Sequence, residues 1–151
     1  MSNRLKLYGK YTIKHTIDGV KHITVFKNTI TNNGVLTILQ KFGDIKTTAG
    51  IQFIALGTGS SSATVADIKL DAESFRKPPA TIAAVGATLT ATQVLESDET
   101  NGISISEIGV YGIDATSATD SGVLISRAVL STPIEKQSGD VIDITWELTL
   151  S

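Results

Sequence analysis

The chain has no cysteine among its 151 residues, only three prolines, and no marked excess of charge of either sign. Without cysteine, a disulfide scaffold, a thiolate nucleophile and a cysteine-bound metal are excluded. A net charge of −2 gives no electrostatic footprint for nucleic acid or for an anionic membrane surface. The apolar runs are too short for a bilayer span, and residues 1–10 lack the apolar core of a signal peptide. We therefore expect a soluble protein without a secretion signal.

Threonine and serine, which make up about a fifth of the chain, are its most distinctive feature. Threonine, valine and isoleucine favour strands because a branched Cβ fits a pleated surface better than a helix. Hydrophobic residues reach 41%, enough for a real core. The turn spacing favours a single mostly-β domain over residues 1–151, an antiparallel β-sandwich or jelly roll of seven or eight strands with one short helix.

The N-terminal segment predicts a β-hairpin at about residues 5–27. Its first arm alternates, with Tyr11, Ile13 and His15 on one face. Asp18-Gly19 is the dipeptide that a tight two-residue turn requires. At the other end of the chain, residues 141–150 predict a strand whose apolar face is Ile142, Ile144, Trp146, Leu148 and Leu150.

A helix is predicted at about residues 33–42, where the period changes. Val35, Ile38, Leu39 and Phe42 form one apolar stripe at helical spacing. Thr31 or Asn32 is expected to cap its start, and Gly43 to end it in a left-handed conformation.

Between these elements, residues 51–56 predict a buried strand, followed by a flexible loop at 57–62. Prolines 78 and 79 should end any regular element before them. Gly86 is expected to mark a bulge or bend within residues 81–95. Further strands are predicted near 103–111 and 123–130, and Thr132-Pro133 and Ser138-Gly139-Asp140 are expected to bracket a connection.

Few residues suggest chemistry. His15 and His22 are expected to face each other across the hairpin, but two imidazoles without a third ligand favour strand-surface histidines over a metal site. Gly57-Thr58-Gly59-Ser60 resembles a phosphate loop, yet neither the lysine of a P-loop nor a helix follows it. We expect no metal, no cofactor and no nucleotide.

The carboxylates also favour structure over catalysis. Nothing in the spacing of Glu73 and Glu107 indicates a catalytic cleft, and neither histidine belongs to a catalytic triad motif. Glu73 and Arg76 are more simply read as an ion pair. The sequence therefore predicts a protein that is not an enzyme.

Three stretches carry a family resemblance. The first is Phe53–Gly59 with Leu70–Arg76, the second is Ile105–Tyr111, and the third is Gly122–Ala128 continuing through Ile134–Asp140 into the last strand. Their order resembles the N-terminal, virion-attaching domain of tailed-bacteriophage tail-collar fibre proteins and related small phage structural proteins. Eight residues from these stretches are singled out as a structural motif: Gly57, Thr58, Gly59, Glu73, Arg76, Glu107, Gly109 and Arg127.

The motif residues also make physical sense as a scaffold. A Gly-Thr-Gly turn reverses a strand without Cβ clashes. Glu107 is expected to pair with Arg76 or Arg127 and to hold two sheets in register.

The resemblance implies a virion structural protein, assembled in the host cytoplasm, that contacts other virion proteins and forms a homo-oligomer. No fibre shaft follows Ser151, so we expect a stand-alone adaptor at the tail, collar or baseplate. A capsid decoration protein is the alternative, and a carbohydrate- or receptor-binding module is a second one. Neither nucleic acid nor membrane is an expected partner. Loops 60–66 and 114–121 are the candidate contact loops, through Ser60, Ser61, Ser62, Thr116, Ser117 and Thr119.

Overall fold

The computed structural model describes residues 4–46 and 50–151, which contain ten strands and one helix. The strands are β1 (Leu7–Ile17), β2 (Val20–Lys27), β3 (Thr29–Ile30), β4 (Ile51–Gly57), β5 (Glu73–Lys77), β6 (Thr81–Val85), β7 (Thr88–Leu95), β8 (Ser104–Gly112), β9 (Val123–Glu135) and β10 (Val141–Leu150). The helix is α1 (Asn32–Phe42).

Two five-stranded sheets form the molecule. The first sheet has the strand order β2-β1-β10-β7-β6, and the second has the order β3-β9-β8-β4-β5. All eight pairs of neighbouring strands are antiparallel. The predicted β-sandwich with one short helix is therefore confirmed.

The predicted count of seven or eight strands is too low for the described residues. The run at 81–95 folds back on itself as β6 and β7, because Gly86 adopts a φ of +58° and turns the chain. The two-residue strand β3 adds another element before the helix. The sequence signals a bend at Gly86, and the bend is a full hairpin turn.

The N-terminal hairpin forms as predicted. Asp18 and Gly19 have φ values of +47° and +78°, the positive pair that a two-residue turn uses. The register pairs Ile17 with Val20 and His15 with His22. Tyr11 and Ile13 face the core, and the last strand contributes a buried face led by Trp146.

Two polar contacts cross the core between the sheets. Tyr11 of the first sheet and Ser126 of the second lie with their hydroxyl oxygens 3.1 Å apart. Gln93 of β7 donates from Nε2 to the carbonyl of Ile54 at 3.2 Å and to that of Lys77 at 2.7 Å. These bonds fix the lateral position of one sheet over the other, because a shift by one residue would break both.

Helix α1 begins as predicted but buries a different face. Thr31 caps it, since its hydroxyl accepts a hydrogen bond from the Gly34 amide at 2.9 Å. Gly34 and Thr37 are the buried helix residues, and a Cβ at position 34 would lie 2.2 Å from the Ile125 carbonyl oxygen. This close backbone approach turns most of the predicted apolar stripe outward, and Leu39 and Phe42 are exposed.

The helix also ends differently. Gly43 has a φ of −78°, so the predicted left-handed conformation at that residue is wrong. The positive φ falls one residue later, at Asp44. The Gly43 amide still closes the last turn on the Leu39 carbonyl.

Strand β9 runs through Thr132 and Pro133 to Glu135, so the predicted start of the connection is wrong, while residues 136–140 do connect β9 to β10. The ladder between β8 and β9 shifts between the Ile105–Ile134 pair and the Glu107–Val129 pair. Pro133 lies inside this irregularity, where a strand tolerates the missing amide donor.

The second sheet is covered on both faces. Residues 105–112 of β8 are all buried, since the inner face packs on the first sheet and the outer face lies under a surface loop. That loop, residues 58–72, is called the covering loop below. A small apolar cluster seals it, formed by Ala55, Leu70, Tyr111, Ala115 and Leu124.

Candidate functional site

The Glu107 carboxylate lies at the centre of a buried polar cluster on the outer face of the second sheet. Its Oε1 accepts hydrogen bonds from the amides of Gly59 at 3.0 Å and Ala72 at 2.8 Å. Its Oε2 accepts from the Asp71 amide at 3.0 Å and from Arg127 Nε at 3.0 Å. Glu107 is completely buried, and these four donors compensate for its lost hydration.

Arg127 extends the cluster from the neighbouring strand to the covering loop. Its Nη1 donates to Asp67 Oδ2 at 2.9 Å, and its Nη2 donates to Asp71 Oδ2 at 2.8 Å and to the Ser61 carbonyl at 3.0 Å. The planar guanidinium thus binds three points of one loop, which a lysine ammonium could not do with the same geometry.

The two glycines of the predicted motif allow the loop to reach Glu107. A Cβ at Gly57 would lie 2.4 Å from Glu107 Oε1, and one at Gly59 would lie 2.5 Å from the same atom. The prediction that glycine avoids a Cβ clash here is confirmed, and the clash is with the carboxylate. Gly109 serves packing, since a Cβ there would meet Leu70 and Leu124 at 2.9 Å. Thr58 is exposed and donates its backbone amide to the Ala72 carbonyl.

A second ion pair lies on β5. Arg76 Nε is 2.5 Å from Glu73 Oε1, and both side chains are almost fully buried. This predicted pairing of Glu73 with Arg76 is confirmed. The Arg76 guanidinium also stacks over the ring of Tyr111, 4.5 Å from its centroid.

Arg76 fastens the second surface loop, residues 113–122, as Arg127 fastens the first. Its Nη1 donates to the carbonyls of Thr116 at 2.9 Å and Ser121 at 3.0 Å, and to the Ser121 hydroxyl. Glu73 Oε2 accepts from the Asp120 amide at 3.2 Å. Each of the two loops predicted to make contacts is therefore anchored by one arginine–glutamate pair.

The structure resolves the alternative for Glu107 and corrects its role. Glu107 pairs with Arg127, while Arg76 pairs with Glu73. Glu107 and Arg127 belong to adjacent strands of the same sheet, so they do not hold the two sheets in register as predicted. They tie a loop to one sheet, whereas the hydrogen bonds between the sheets come from Tyr11, Gln93 and Lys77, whose Nζ donates to the Val94 carbonyl at 3.2 Å.

Two acidic partners of Arg127, Asp67 and Asp71, have pKa values below the ordinary value of an aspartate. Burial alone would raise the pKa of Asp67, but hydrogen bonds from Thr64 and Arg127 outweigh it and hold that pKa below its ordinary value. The pKa of Asp71 is lowered first by the Ser61 hydroxyl and also by the charge of Arg127. Both shifts favour the charged form that the guanidinium needs.

The candidate contact residues differ in whether their polar groups are hydrogen-bonded within the protein. Ser60, Ser62, Ser117 and Thr119 are exposed. Ser61 is exposed too, but its hydroxyl and amide both donate to Asp71. Thr116 bonds the Ser121 hydroxyl through its own hydroxyl and amide. The loops therefore present their serines from a fixed backbone.

The histidines are only partly as predicted. They are paired across the hairpin, and His22 is exposed on the strand surface. His15, however, is buried on the same face of β1 as Tyr11 and Ile13, and its Nε2 lies 2.9 Å from Asp140 Oδ2. Residues 4–46 and 50–151 contain no group of three histidine, aspartate or glutamate side chains placed to hold a metal ion.

Sequence reasoning missed Asp67 and gave Asp71 no role. Both lie in the covering loop, 60 and 56 residues from Arg127. The one local signal is the spacing of Thr64 and Asp67, whose hydroxyl, amide and carboxylate bond one another three residues apart. Such a turn predicts an ordered loop, but it does not identify the distant arginine.

Comparison with known proteins adds no relative to this description. The chain matches no protein-family model, no curated protein sequence and no solved structure. Within the described residues, no helix has the length and apolar character needed to span a membrane.

Proposed function

We propose that this chain is a non-enzymatic structural protein of a bacteriophage virion, an adaptor that docks at the tail, collar or baseplate through protein–protein contacts. One observation carries the proposal. Residues from all three stretches that resemble phage attachment domains meet at the buried carboxylate of Glu107, which accepts hydrogen bonds from the Gly59 and Ala72 amides of the first stretch and from Arg127 of the third. These donors lie 48, 35 and 20 residues from Glu107 in the chain, and their convergence supports a shared structural role.

The arrangement suits a scaffold better than a reaction centre. Glu107 is fully buried, and each of its oxygens already accepts two hydrogen bonds from the protein. A catalytic carboxylate would have to reach a substrate proton. The ion pairs instead fix two exposed loops on a rigid sheet, which is the usual way in which a domain presents a contact surface.

The glycan-binding alternative has less support. Sugar-binding sandwiches present exposed aromatic platforms, whereas Tyr11, Tyr111 and Trp146 are all fully buried here. The large exposed aromatic side chains among the described residues are Tyr8 and Phe42, on different elements. A capsid decoration protein would make its contacts through the same loops, so the copy number of the chain per virion distinguishes that role from the adaptor role.

The first test is the copy number of the chain in purified virions, measured by quantitative mass spectrometry against the major capsid protein. A few copies per particle are expected for a tail, collar or baseplate adaptor. A ratio near that of the capsid protein would overturn this location in favour of head decoration. Absence from the particle would overturn the structural role itself.

A second test asks whether the loops make the contacts. Ser62→Arg and Ser117→Arg place a long charged side chain on the covering loop and on the 113–122 loop, without removing any hydrogen bond described above. Both are expected to lower incorporation into particles. Ser138→Arg, in the exposed turn before β10, is the matched control and should be incorporated normally.

A further inference from the structure

Strand β2 is an open edge with an apolar surface. It is the outermost strand of the first sheet and pairs only with β1, along its whole length of eight residues. Val20, Ile23 and Val25 have exposed fractions of 58%, 66% and 59%. Ile23 and Val25 project from the outer face of the sheet, and Val20 projects from the other face.

Such an edge is a template for pairing with another chain. A long unpaired strand offers a row of free backbone donors and acceptors, and monomeric proteins usually shorten it, cover it, bulge it or place charges on it. In β2 the lysines are Lys21 and Lys27, and the five residues between them include no lysine, arginine or carboxylate. The opposite edge of the sheet, β6, has only five residues. The register of β2 with β1 is continuous from Val20 to Lys27, so no bulge interrupts the edge.

We infer that β2 is a self-association edge, pairing antiparallel with β2 of a second copy about a two-fold axis that passes through Ile23. The pairing would join two first sheets into one continuous sheet. This inference does not depend on the virion assignment, because it follows from the edge alone.

The orientation of the backbone restricts the choice of register. Asp18 and Gly19 form a two-residue turn, so Ile17 and Val20 are the hydrogen-bonded pair that closes it. By alternation, Lys21, Ile23 and Val25 direct their N–H and C=O groups away from β1. Two copies can therefore bond only when these residues of one copy lie opposite the same set in the other, so the two-fold axis must pass through a residue of β2. The outer faces of the two sheets then lie on the same side.

Overlap and charge together select one of these registers. An axis at His22 or Val25 pairs only five residues of β2 with the second copy, whereas an axis at Ile23 or Thr24 pairs seven. An axis at Thr24 sets Lys21 opposite Lys27, and like charges directly opposite are destabilising. An axis at His22 sets the two imidazoles against each other and leaves Val25 opposite the turn. An axis at Ile23 places the two Ile23 side chains together.

The Ile23 register also pairs the remaining side chains well. On the outer face, Val25 lies opposite the aliphatic stem of Lys21. On the inner face, Val20 lies opposite Phe26. This register covers all three exposed apolar residues and opposes no two lysines.

The oligomeric state tests the inference. Light scattering coupled to gel filtration should give twice the 15.9 kDa chain mass at micromolar concentration. Ile23→Lys, which sets two ammonium groups together at the axis, should return the mass to one chain with an unchanged circular dichroism spectrum. Val85→Lys, on the exposed β6 edge, is the matched control and should remain a dimer. A monomeric wild type, or a larger ring that Val85→Lys dissolves, would overturn the proposal.

Single-cysteine crosslinking tests the register, since the chain has no cysteine of its own. At the axis the two Ile23 Cα atoms would lie about 5.5 Å apart, within disulfide range. Ile23→Cys should therefore oxidise to a covalent dimer. Lys21→Cys should not, because its two copies would lie about 13 Å apart, yet it should crosslink to Val25→Cys when the two variants are mixed. Crosslinking of Lys21→Cys to itself, or none in the mixture, would contradict the Ile23 axis.

Discussion

Glu107 and Arg127 lie on neighbouring strands of the second sheet, twenty residues apart in the chain, with Glu107 Oε2 and Arg127 Nε separated by 3.0 Å. Neither side chain is appreciably exposed. A buried ion pair stabilises a fold only when its other hydrogen-bonding positions are also filled. Here they are filled by the covering loop, so the pair and the loop depend on each other.

Glu107→Gln should destabilise the protein strongly. The substitution removes the charge that faces Arg127 and turns one acceptor into an amide donor, which then meets backbone N–H groups or the guanidinium. Breaking a buried pair in this way costs about 3 kcal/mol. The free energy of unfolding from urea titrations measures the change.

The matched control for this prediction is Glu147→Gln. Glu147 forms an ion pair with Lys10 at 3.0 Å, but both side chains are partly exposed on the first sheet. Its loss should change the free energy of unfolding by at most about 1 kcal/mol. Equal effects of the two substitutions would contradict the role assigned to Glu107.

Gly59→Ala should weaken the attachment of the covering loop without adding or removing a charged group. The added Cβ would lie 2.5 Å from Glu107 Oε1 and 2.4 Å from the Asp71 Cβ, so the loop must move away from the carboxylate. Overpacking of this kind costs about 1–3 kcal/mol, and limited proteolysis should then cut the covering loop faster.

Gly50→Ala provides the comparison for Gly59→Ala. A Cβ at position 50 meets no atom within 4 Å. The free energy of unfolding of the Gly50→Ala variant should stay within about 1 kcal/mol of the wild-type value. If Gly59→Ala behaves like Gly50→Ala, the close approach of the loop to Glu107 is not required for stability.

The elements that the sequence predicts well are those fixed by local chemistry. The hairpin depends on Asp18 and Gly19 accepting positive φ, and the start of α1 depends on the Thr31 hydroxyl. Both signals act over two to four residues. Alternation in β10 likewise reports its buried face directly, because one side of that strand packs on the core.

The buried face of α1 shows where such signals fail. Apolar periodicity favours the stripe that includes Leu39 and Phe42, yet Gly34 and Thr37 face β9. Contact with the Ile125 carbonyl requires a residue without a Cβ, and this steric demand outweighs apolar burial on so short a helix. The small residues Gly34 and Thr37, three positions apart, mark the buried face of the helix.

The ion pairs were predictable as residue types but not as partners. Glu73 and Arg76 are three residues apart, so their pairing follows from the sequence. The choice between Arg76 and Arg127 for Glu107 depends on which strands are adjacent, and strand order is a property of the whole chain. Asp67 could not be assigned to Arg127 for the same reason.

Arg76→Lys should release the 113–122 loop selectively. A lysine keeps the charge near Glu73 but cannot reach Thr116 and Ser121 at the same time or stack its plane on Tyr111. We expect a loss of about 2 kcal/mol and faster amide hydrogen exchange in the loop. The covering loop should exchange as in the wild type.

Lys69→Met is the control for this experiment. Lys69 bonds Asp120 from an exposed position on the covering loop. Its removal should leave hydrogen exchange in the 113–122 loop nearly unchanged. A similar increase in both variants would mean that Arg76 is not the anchor.

Acid should weaken the protein through Asp67 and Asp71, whose pKa values are lowered in the folded state. The stabilisation that these carboxylates supply is complete above their unfolded pKa of about 4. It is lost as the pH falls from there through the lower folded values, because the unfolded chain binds protons first. The free energy of unfolding should therefore decline steeply below pH 4.

Two substitutions separate Asp71 from the other acids in this decline. Asp71→Asn removes the titrating group, so the protein should be less stable at pH 7 and should lose less of its remaining stability below pH 4. Ser61→Ala keeps the carboxylate but removes the hydroxyl that contributes most to its lowered pKa. Its slope should lie between those of Asp71→Asn and the wild type. Equal slopes for all three proteins would show that the Asp71–Arg127 contact does not contribute to acid sensitivity.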